Sequence, residues 1–349
     1  MRKESKQDLV RSAVLLILAG LIVLLLGTTK PIWSLSQRPS LWQSVIFPSK
    51  PAALAGRALI IAGVDGKSRR QLTTAGNLEA FIVSPDGKKL IAFYGPQQSL
   101  PFRLVDIASG RQKEIPAQSA EFPMPGWGSN SDQLVFAGKD GLYVYNLRMG
   151  TRKRIVQYPS VAVPGPYAVK NRVVFSAPTD SGFALYSIGV DGVGLKQLTG
   201  AQKVRPVLPF LSPDAKGAVF SLTFPFSGTR IGLVTSGNRK VKLLGKPRAE
   251  SVAFGWSPDS EWVLWSSNQT GRFQVYISRR DGSKTINLSN SKGNDRFPAW
   301  SPDGKKIVFW SDRSEKGTIW VMDRDGSHQR LLTYASGWGD GAPVWVATP

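Results

Sequence analysis

The stretch from Phe297 to Thr333 reads FPAWSPDGKKIVFWSDRSEKGTIWVMDRDGSHQRLLT. It contains four short apolar runs (PAW, IVFW, TIWVM and RLLT), which are separated by Ser-Pro-Asp-Gly, a charged stretch and Asp-Gly. Short runs rich in Val, Ile, Trp and Thr between turn residues predict four antiparallel strands in a meander. Pro302 presets φ for a turn, Gly304 can adopt a positive φ, and Asp-Gly is a preferred hairpin pair. One such sheet cannot bury both of its faces, so the stretch predicts stacking on copies of itself.

Copies of this unit recur along the chain. An Asp-Gly pair is followed by Thr or Ser eight positions after the Asp in four places: Asp65 to Thr73, Asp191 to Thr199, Asp281 to Ser289 and Asp325 to Thr333. Ser-Pro-Asp begins at Ser84, Ser212, Ser257 and Ser301, with a degraded copy at 128–132 and a weaker trace at 167–171. Successive copies lie roughly 40 to 46 residues apart, which is the period of a four-stranded propeller blade. An irregular β-sandwich would not predict a fixed period.

The two ends of the repeat region complement each other. The C-terminal segment 342–346 matches the first strand of the unit, whereas segments 58–62 and 70–73 match its last two strands. Together they predict one shared blade that closes the ring and removes exposed sheet edges. The predicted fold class is therefore an all-β propeller with seven blades by repeat count; six remains an alternative because the unit at 167–171 is weak.

The N-terminal region predicts a membrane anchor. Residues 12–29 carry no charge, and as a helix of about 27 Å they would just span the hydrocarbon core. Basic residues in 1–11 predict that this end stays in the cytoplasm and that the rest is exported. The segment 30–57 is interpreted as a linker, in which Val45-Ile46-Phe47 could be a strand, and 58–349 as the propeller. A cleaved signal peptide with secretion is the alternative, but no clean A-x-A site follows the apolar segment.

The 349-residue chain has a formal net charge of +21 and no cysteine. It therefore has no disulfide, thiolate metal site or cysteine nucleophile. The basic residues are spread over all the repeats, which favours a solvated surface over a nucleic-acid groove. Binding of anionic envelope polymers or lipid head groups remains an alternative.

The units at 254–289 and 297–333 resemble the propeller repeats of TolB-type periplasmic proteins, a WD40-like repeat family, through WSPDGKKIVFWSDRS, WVMDRDGSHQRLLT and WSSNQTGRFQVYISRRDG. The resemblance extends from about Ala58 to the end of the chain. It implies a periplasmic scaffold that binds other proteins of the cell envelope, for which a peptidoglycan-associated lipoprotein is one candidate. The expected protein is thus anchored in the inner membrane with its propeller in the periplasm.

No catalytic, metal or cofactor residue is predicted. The chain lacks G-x-S-x-G, and its only histidine, His328, follows the Asp325-Gly326 turn. The sequence around Asp323 lacks the later ligands of a calcium loop. The recurring tryptophans Trp127, Trp256, Trp300 and Trp345 are expected to pack between blades rather than stack on a sugar. A propeller component of a peptide- or glycan-processing enzyme, using channel carboxylates, is the alternative function.

One set of acids stands just before the first strands of several units: Glu79, Glu121, Glu250, Asp295 and Asp340. First strands line the channel of a propeller, so these acids are predicted to surround one mouth and bind a basic peptide, an amine or a cation. The alternative is that each acid caps a turn or pairs with an arginine such as Arg205 or Arg296.

Overall fold

The computed structural model describes residues 44–49, 57–65, 68–73, 76, 78–94, 102–115, 125–138, 140–157, 167–235, 237–314, 317–333 and 342–346. Within these ranges the chain forms strands, turns and no helix. The first fourteen strands are β1 (Ser44–Ser49), β2 (Ala58–Gly63), β3 (Arg69–Gln71), β4 (Leu78–Val83), β5 (Lys89–Tyr94), β6 (Phe102–Asp106), β7 (Gln112–Ile115), β8 (Gly126–Trp127), β9 (Gln133–Gly138), β10 (Gly141–Asn146), β11 (Thr151–Gln157), β12 (Tyr167–Val169), β13 (Arg172–Thr179) and β14 (Gly182–Gly189). The others are β15 (Lys196–Gln197), β16 (Pro206–Leu211), β17 (Gly217–Phe224), β18 (Gly228–Thr235), β19 (Asn238–Leu244), β20 (Ser251–Trp256), β21 (Trp262–Ser267), β22 (Gln274–Arg279), β23 (Thr285–Asn287), β24 (Asp295–Trp300), β25 (Lys306–Ser311), β26 (Thr318–Asp323), β27 (Arg330–Leu331) and β28 (Val344–Val346).

These strands make seven four-stranded sheets in the described ranges, so the expected seven-bladed propeller is confirmed. Blades 1 to 6 are consecutive meanders, from β4–β7 to β24–β27. We define the upper face as the side of the propeller on which the chain enters the first strand of each blade and on which the second-to-third turn lies. The lower face carries the first-to-second and third-to-fourth turns.

Blade 7 combines both ends of the repeat region in the order β28-β1-β2-β3. Strand β1 pairs with β28 through Ser44–Val346, Val45–Trp345 and Ile46–Val344, and with β2 along its other edge. The segment interpreted as a linker, 30–57, therefore contributes the second strand of this blade. Apolar Val45, Ile46 and Phe47 are fully buried there, which explains why the segment pairs rather than remaining a tether.

The predicted spanning segment, 12–29, and the predicted cytoplasmic residues, 1–11, lie outside the described residues. In the ranges that the structure describes, no helix is long and apolar enough to cross a membrane.

Each Ser-Pro-Asp forms the same turn on the lower face. In blade 4, Ser212 Oγ donates to Asp214 Oδ1 at 2.5 Å and accepts the N–H of Gly217, while Asp214 Oδ1 accepts the N–H of Lys216. The same three bonds recur at Ser84, Ser257 and Ser301. The motif thus serves to close the first-to-second turn.

These turns also connect neighbouring blades. The Asp214 N–H donates to Ser260 Oγ of blade 5 at 3.0 Å, and Arg280 Nη1 of blade 5 lies 3.0 Å from Asp214 Oδ2. One blade further on, Arg324 reaches Asp259 at 2.7 Å. The Asp of a turn therefore helps to fix the next blade around the ring.

The eight-residue spacing from Asp-Gly to Thr or Ser also has a structural cause. The hydroxyl oxygens of Thr73, Thr199, Ser289 and Thr333 accept backbone N–H groups of third strands, at 2.9 to 3.1 Å. Asp-Gly makes the third-to-fourth turn. The hydroxyl group eight residues after the Asp lies just past the end of the short fourth strand, where it accepts a hydrogen bond from a buried N–H group of the third strand. The spacing is therefore architectural.

The recurring tryptophans are buried, as the sequence predicts. The indole Nε1 of Trp127, Trp256 and Trp345 donates to a carbonyl in the first strand of the preceding blade, each at 3.1 Å: Ile82, Phe210 and Ala299, respectively. Trp300 occupies the same repeat position, but its buried Nε1 has no hydrogen-bond partner.

The Ser-Pro-Asp turns predict acid sensitivity. Burial raises the pKa of Asp214, but the Ser212 hydroxyl, the Lys216 N–H and Arg280 together lower it below its ordinary value of 3.8. The pKa of Asp259 is lowered in the same way. Because the folded-state pKa lies below the unfolded one, the stabilisation is present above pH 3.8 and is lost as pH falls through the folded value. Thermal unfolding midpoints measured against pH should stay level near neutrality and fall in this acidic window.

A matched variant tests this assignment. Asp214→Asn should have a lower midpoint at neutral pH and a shallower acid decline, since one carboxylate that favours the folded state has been removed. Glu114→Gln changes an exposed acid on an outer strand, and its thermal midpoint should fall with decreasing pH as steeply as that of the parent chain. An unchanged slope in Asp214→Asn would contradict the assignment.

Candidate functional site

The structure describes the side chains of two of the five predicted mouth acids. Glu79 lies in β4, with its side chain outside the described set, and Glu121 and Asp340 lie outside the described residues altogether. Glu250 and Asp295 stand at the beginning of the first strands of blades 5 and 6, on the upper face. The predicted ring of acids therefore stays a prediction, and the site can be built only from this sector.

Asp295 is used within the fold. Its side chain is 0% exposed, and Oδ1 lies 2.9 Å from Arg313 Nη2, while Oδ2 accepts a 2.7 Å hydrogen bond from Ser291 Oγ. This matches the alternative in which an acid pairs with an arginine, although the partner is Arg313 and not Arg296. Because both oxygens of this buried carboxylate already have partners, Asp295 stabilises the start of β24 and is not available to a ligand.

Arg313 joins the second-to-third turn of blade 6 to this entrance. Its Nε donates to Ser311 Oγ and its Nη1 to Gln329 Oε1, at 3.0 and 2.7 Å. The guanidinium also lies 4.6 Å from the ring centroid of Trp320. Arg313 was not predicted as a partner because it stands eighteen positions after Asp295 in the sequence. The signal that could have indicated it is the pairing of Asp295 with Ser311, two residues before Arg313, across β24 and β25.

Glu250 is in a different environment. Its N–H donates to Asn268 Oδ1 at 2.8 Å, and its carbonyl accepts the Asn268 N–H at 3.2 Å. These bonds fix the backbone at the mouth, while the carboxylate Oε2 is buried and has no hydrogen-bond partner. A buried carboxylate oxygen without a donor is costly, so Glu250 is the predicted acid that an incoming donor would satisfy.

Arg296 is the second unsatisfied group of this sector. Its guanidinium lies 4.1 Å from the ring centroid of Phe273 in the preceding blade, and its Nε is buried without a partner. Burial lowers the pKa of Arg296, and the charge of Asp312 partly offsets this effect. The strand bulges directly after it, with Phe297 at φ 55°. Such bulges commonly redirect side chains beside functional sites.

A polar cleft of about 840 Å³ opens beside this sector on the upper face. Its lining includes Arg272, Gln274, Asn290, Lys292 and Asn294. Gln274 holds the wall in place, because its Oε1 accepts the Ser291 N–H at 2.8 Å and its Nε2 donates to the Gly293 carbonyl. The described lining of the cleft thus offers amide, hydroxyl and cationic groups, which suit recognition of a polar surface.

His328 lies on the lower face, in the third-to-fourth turn of blade 6. Its Nδ1 is 2.7 Å from Asp323 Oδ2 and 3.1 Å from Ser327 Oγ, and its ring is exposed. These contacts place it in the turn, far along its blade from the upper face. Across the described ranges, no group of three His, Asp or Glu side chains could hold a metal ion.

The repeat architecture and its turn chemistry agree with a known family. Residues 168–347 match the model of the TolB beta propeller domain, which is just over half of the chain. The chain belongs to the TolB β-propeller family. The matched residues span blades 3 to 6 and β28.

Solved structures share the fold at low identity. TolB from Acinetobacter baumannii is 16% identical, with a TM-score of 0.55, and the alignment covers 90% of this chain and 69% of that chain. An oligogalacturonate lyase in complex with manganese is 16% identical, with a TM-score of 0.58 and coverage of 80% and 85%. The β-propeller domain of the Trilobed protease from Pyrococcus furiosus is 11% identical, with a TM-score of 0.59 and coverage of 83% and 96%. TolB-type propellers thus share their architecture with domains of enzymes.

Proposed function

We propose that this protein acts by binding, as a recognition module of the cell envelope that captures a basic segment of a partner protein at its upper face. The N-terminal segment 12–29 would anchor it in the inner membrane, with the propeller on the periplasmic side. Membership of the TolB β-propeller family supports an interaction role in general.

The observation that carries the proposal is the carboxylate of Glu250. Glu250 directly precedes the first strand of blade 5 on the upper face, and its buried Oε2 has no hydrogen-bond donor. A lysine or arginine of a partner would supply that donor, and a charge-assisted hydrogen bond of this type contributes about 1.5–3 kcal/mol. Asp295, by contrast, already has its donors in Arg313 and Ser291.

The proposal predicts that Glu250→Gln weakens capture of the partner by roughly 10- to 100-fold. Glutamine keeps the shape of the side chain but removes the charge, so folding should be retained. The measurement is photo-crosslinking in native membranes from a probe residue placed at Gln269, next to Asn268, followed by identification and quantification of the crosslinked protein.

Glu114→Gln is the matched control, because Glu114 is an exposed acid on the outer strand of blade 1. It should leave the crosslink yield unchanged, and neither variant should have a lower thermal midpoint than the parent chain. Equal yields from Glu250→Gln and the parent chain would rule out the upper mouth as the capture site.

A further inference from the structure

The lower face of blades 2 and 3 exposes large apolar side chains. Met149 is 74% exposed in the third-to-fourth turn of blade 2, and Val193 and Leu195 are 69% and 55% exposed in the equivalent turn of blade 3. Isolated exposed apolar residues are ordinary, but three on adjacent turns of one face form a patch. The turn of blade 3 lies against the fourth strand of blade 2, since Lys153 Nζ in β11 donates to the Asp191 carbonyl at 3.1 Å.

The repeats show that these apolar residues are not needed for the turn. Aligned on Asp-Gly, Val193 corresponds to Ser283 and Ser327, and Leu195 corresponds to Thr285 and Gln329. In blade 5, Asp281 Oδ1 accepts both the N–H and the hydroxyl of Ser283; in blade 3, Asp191 Oδ1 accepts only the N–H of Val193. Blade 3 therefore has apolar side chains where the same turn elsewhere has hydrogen-bonding ones.

A cationic cleft lies directly beside this turn. It has a volume of about 510 Å³ and lies between blades 3 and 4, with Arg172, Lys196, Lys216 and Arg239 in its wall and Leu211 and Ala218 in its floor. Among the described residues that line it there is no carboxylate. Within the described part of the chain, Lys196, Lys216 and Arg239 have no carboxylate partner.

Arg172 holds the apolar turn over this cleft. Its Nη2 donates to the Gly194 carbonyl at 2.7 Å, and to the carbonyl and hydroxyl of Ser187 at 3.1 and 3.0 Å. Gly194 stands between Val193 and Leu195 and itself lines the cleft, so the bond holds the backbone of the apolar turn at the edge of the cleft. Apolar groups projecting beyond a basic rim are the combination that inserts into an anionic lipid surface, where each basic residue contributes about 1 kcal/mol.

The chain also joins the propeller on this face. Strand β1 begins at Ser44, which pairs with Val346 at the end of β28 and with Gly63 at the end of β2. Both ends lie on the lower face, so the part of the chain before residue 44 connects there. The surface that carries Met149, Val193 and Leu195 is the same face.

We propose that the lower face of blades 2 to 4 docks on an anionic membrane surface. Met149, Val193 and Leu195 enter the interfacial layer, and the cleft between blades 3 and 4 receives a lipid phosphate. The proposal stands on described residues and is independent of capture at the upper face, which would remain accessible in this orientation.

The absence of cysteine from the chain allows a clean test. The full chain with Val193→Cys is labelled with an environment-sensitive fluorophore and placed in nanodiscs of phosphatidylcholine, with or without phosphatidylglycerol. Phe226→Cys is the matched control, because Phe226 is 97% exposed in a second-to-third turn on the upper face. The label at position 193 should shift to the blue and be quenched by spin-labelled lipid only in anionic discs, and this response should decrease at high salt.

Two further variants, with the probe at Met149→Cys, separate the apolar and cationic contributions. Val193→Ser with Leu195→Thr installs residues that other repeats use, and should abolish lipid quenching without changing the thermal midpoint. The triple variant Lys196→Gln/Lys216→Gln/Arg239→Gln should weaken the affinity for the anionic surface by about 100-fold. If the chain does not assemble into discs, flotation with vesicles of the same two compositions gives the same comparison.

Equal responses at positions 193 and 226, or equal responses in the two lipid compositions, would overturn the proposal. So would a response to soluble polyglutamate that matches the response to anionic discs, because the cations would then serve a soluble polyanion rather than a membrane surface.

Discussion

Asp295→Ala is expected to lower the free energy of unfolding by about 3–5 kcal/mol, because it leaves the Arg313 guanidinium buried without its counter-charge. The side chain of Arg313 is 15% exposed, and its remaining bonds to Ser311 and Gln329 keep it in place. It therefore cannot turn out to solvent without breaking the second-to-third turn of blade 6. Urea unfolding, followed by tryptophan fluorescence, measures the loss.

The exposed pair of Arg103 and Glu114 is the internal comparison, with N–O separation of 3.7 Å and side chains 35% and 69% exposed. Glu114→Ala should cost at most about 1 kcal/mol. The double variant Asp295→Ala/Arg313→Ala should recover part of the loss, since neither charge is then left alone. A cost for Asp295→Ala as small as that for Glu114→Ala would show that the buried pair is not coupled.

The second large effect is expected at Trp345, which connects the closing blade to blade 6. Trp345→Ala removes a side chain that is 2% exposed and should cost about 3–5 kcal/mol. Trp345→Phe keeps most of the packing but leaves the buried Ala299 carbonyl without its 3.1 Å donor, and should cost about 1–3 kcal/mol beyond the packing change.

Trp300→Phe is the matched variant at the same repeat position. Because the buried Nε1 of Trp300 has no partner, its removal takes away an unsatisfied donor and should cost less than Trp345→Phe. Differential scanning calorimetry of the two phenylalanine variants provides the comparison. A larger loss of stability in Trp300→Phe than in Trp345→Phe would contradict this expectation.

The blades were predictable because their turns repeat. Ser-Pro-Asp and Asp-Gly recur at fixed spacing, and each makes local hydrogen bonds that any copy of the unit can form. The strand Ser44–Ser49 was harder to assign to a blade. It pairs on one edge with β2, the next strand in sequence, and on the other edge with β28, which is far from it in sequence. Its apolar residues signalled a strand, but the local sequence carries no turn that ties it to a blade.

The site was less predictable than the fold, because a carboxylate's role depends on what stands across from it. Glu250 lies six residues before Trp256, whereas Asp295 lies five residues before Trp300, so the two acids stand one position apart in their repeats. Only Asp295 meets an arginine, supplied by the second-to-third turn of its own blade, whereas Glu250 keeps an unpaired oxygen. Val193 and Leu195 lie between Asp191 and Thr199, where the eight-residue spacing is intact, so nothing in the sequence singled them out. Their exposure in the folded turn is what distinguishes them from apolar residues of the core.

The composite blade has a consequence for biosynthesis. Its second strand begins at Ser44, but its first strand, Val344–Val346, is made after every other strand that the structure describes. The other blades can form in order as the chain emerges, whereas one edge of β1 stays unpaired until β28 has been made. Ring closure therefore follows synthesis of the other described blades, and the period before it is when the growing chain most needs protection from pairing with another copy.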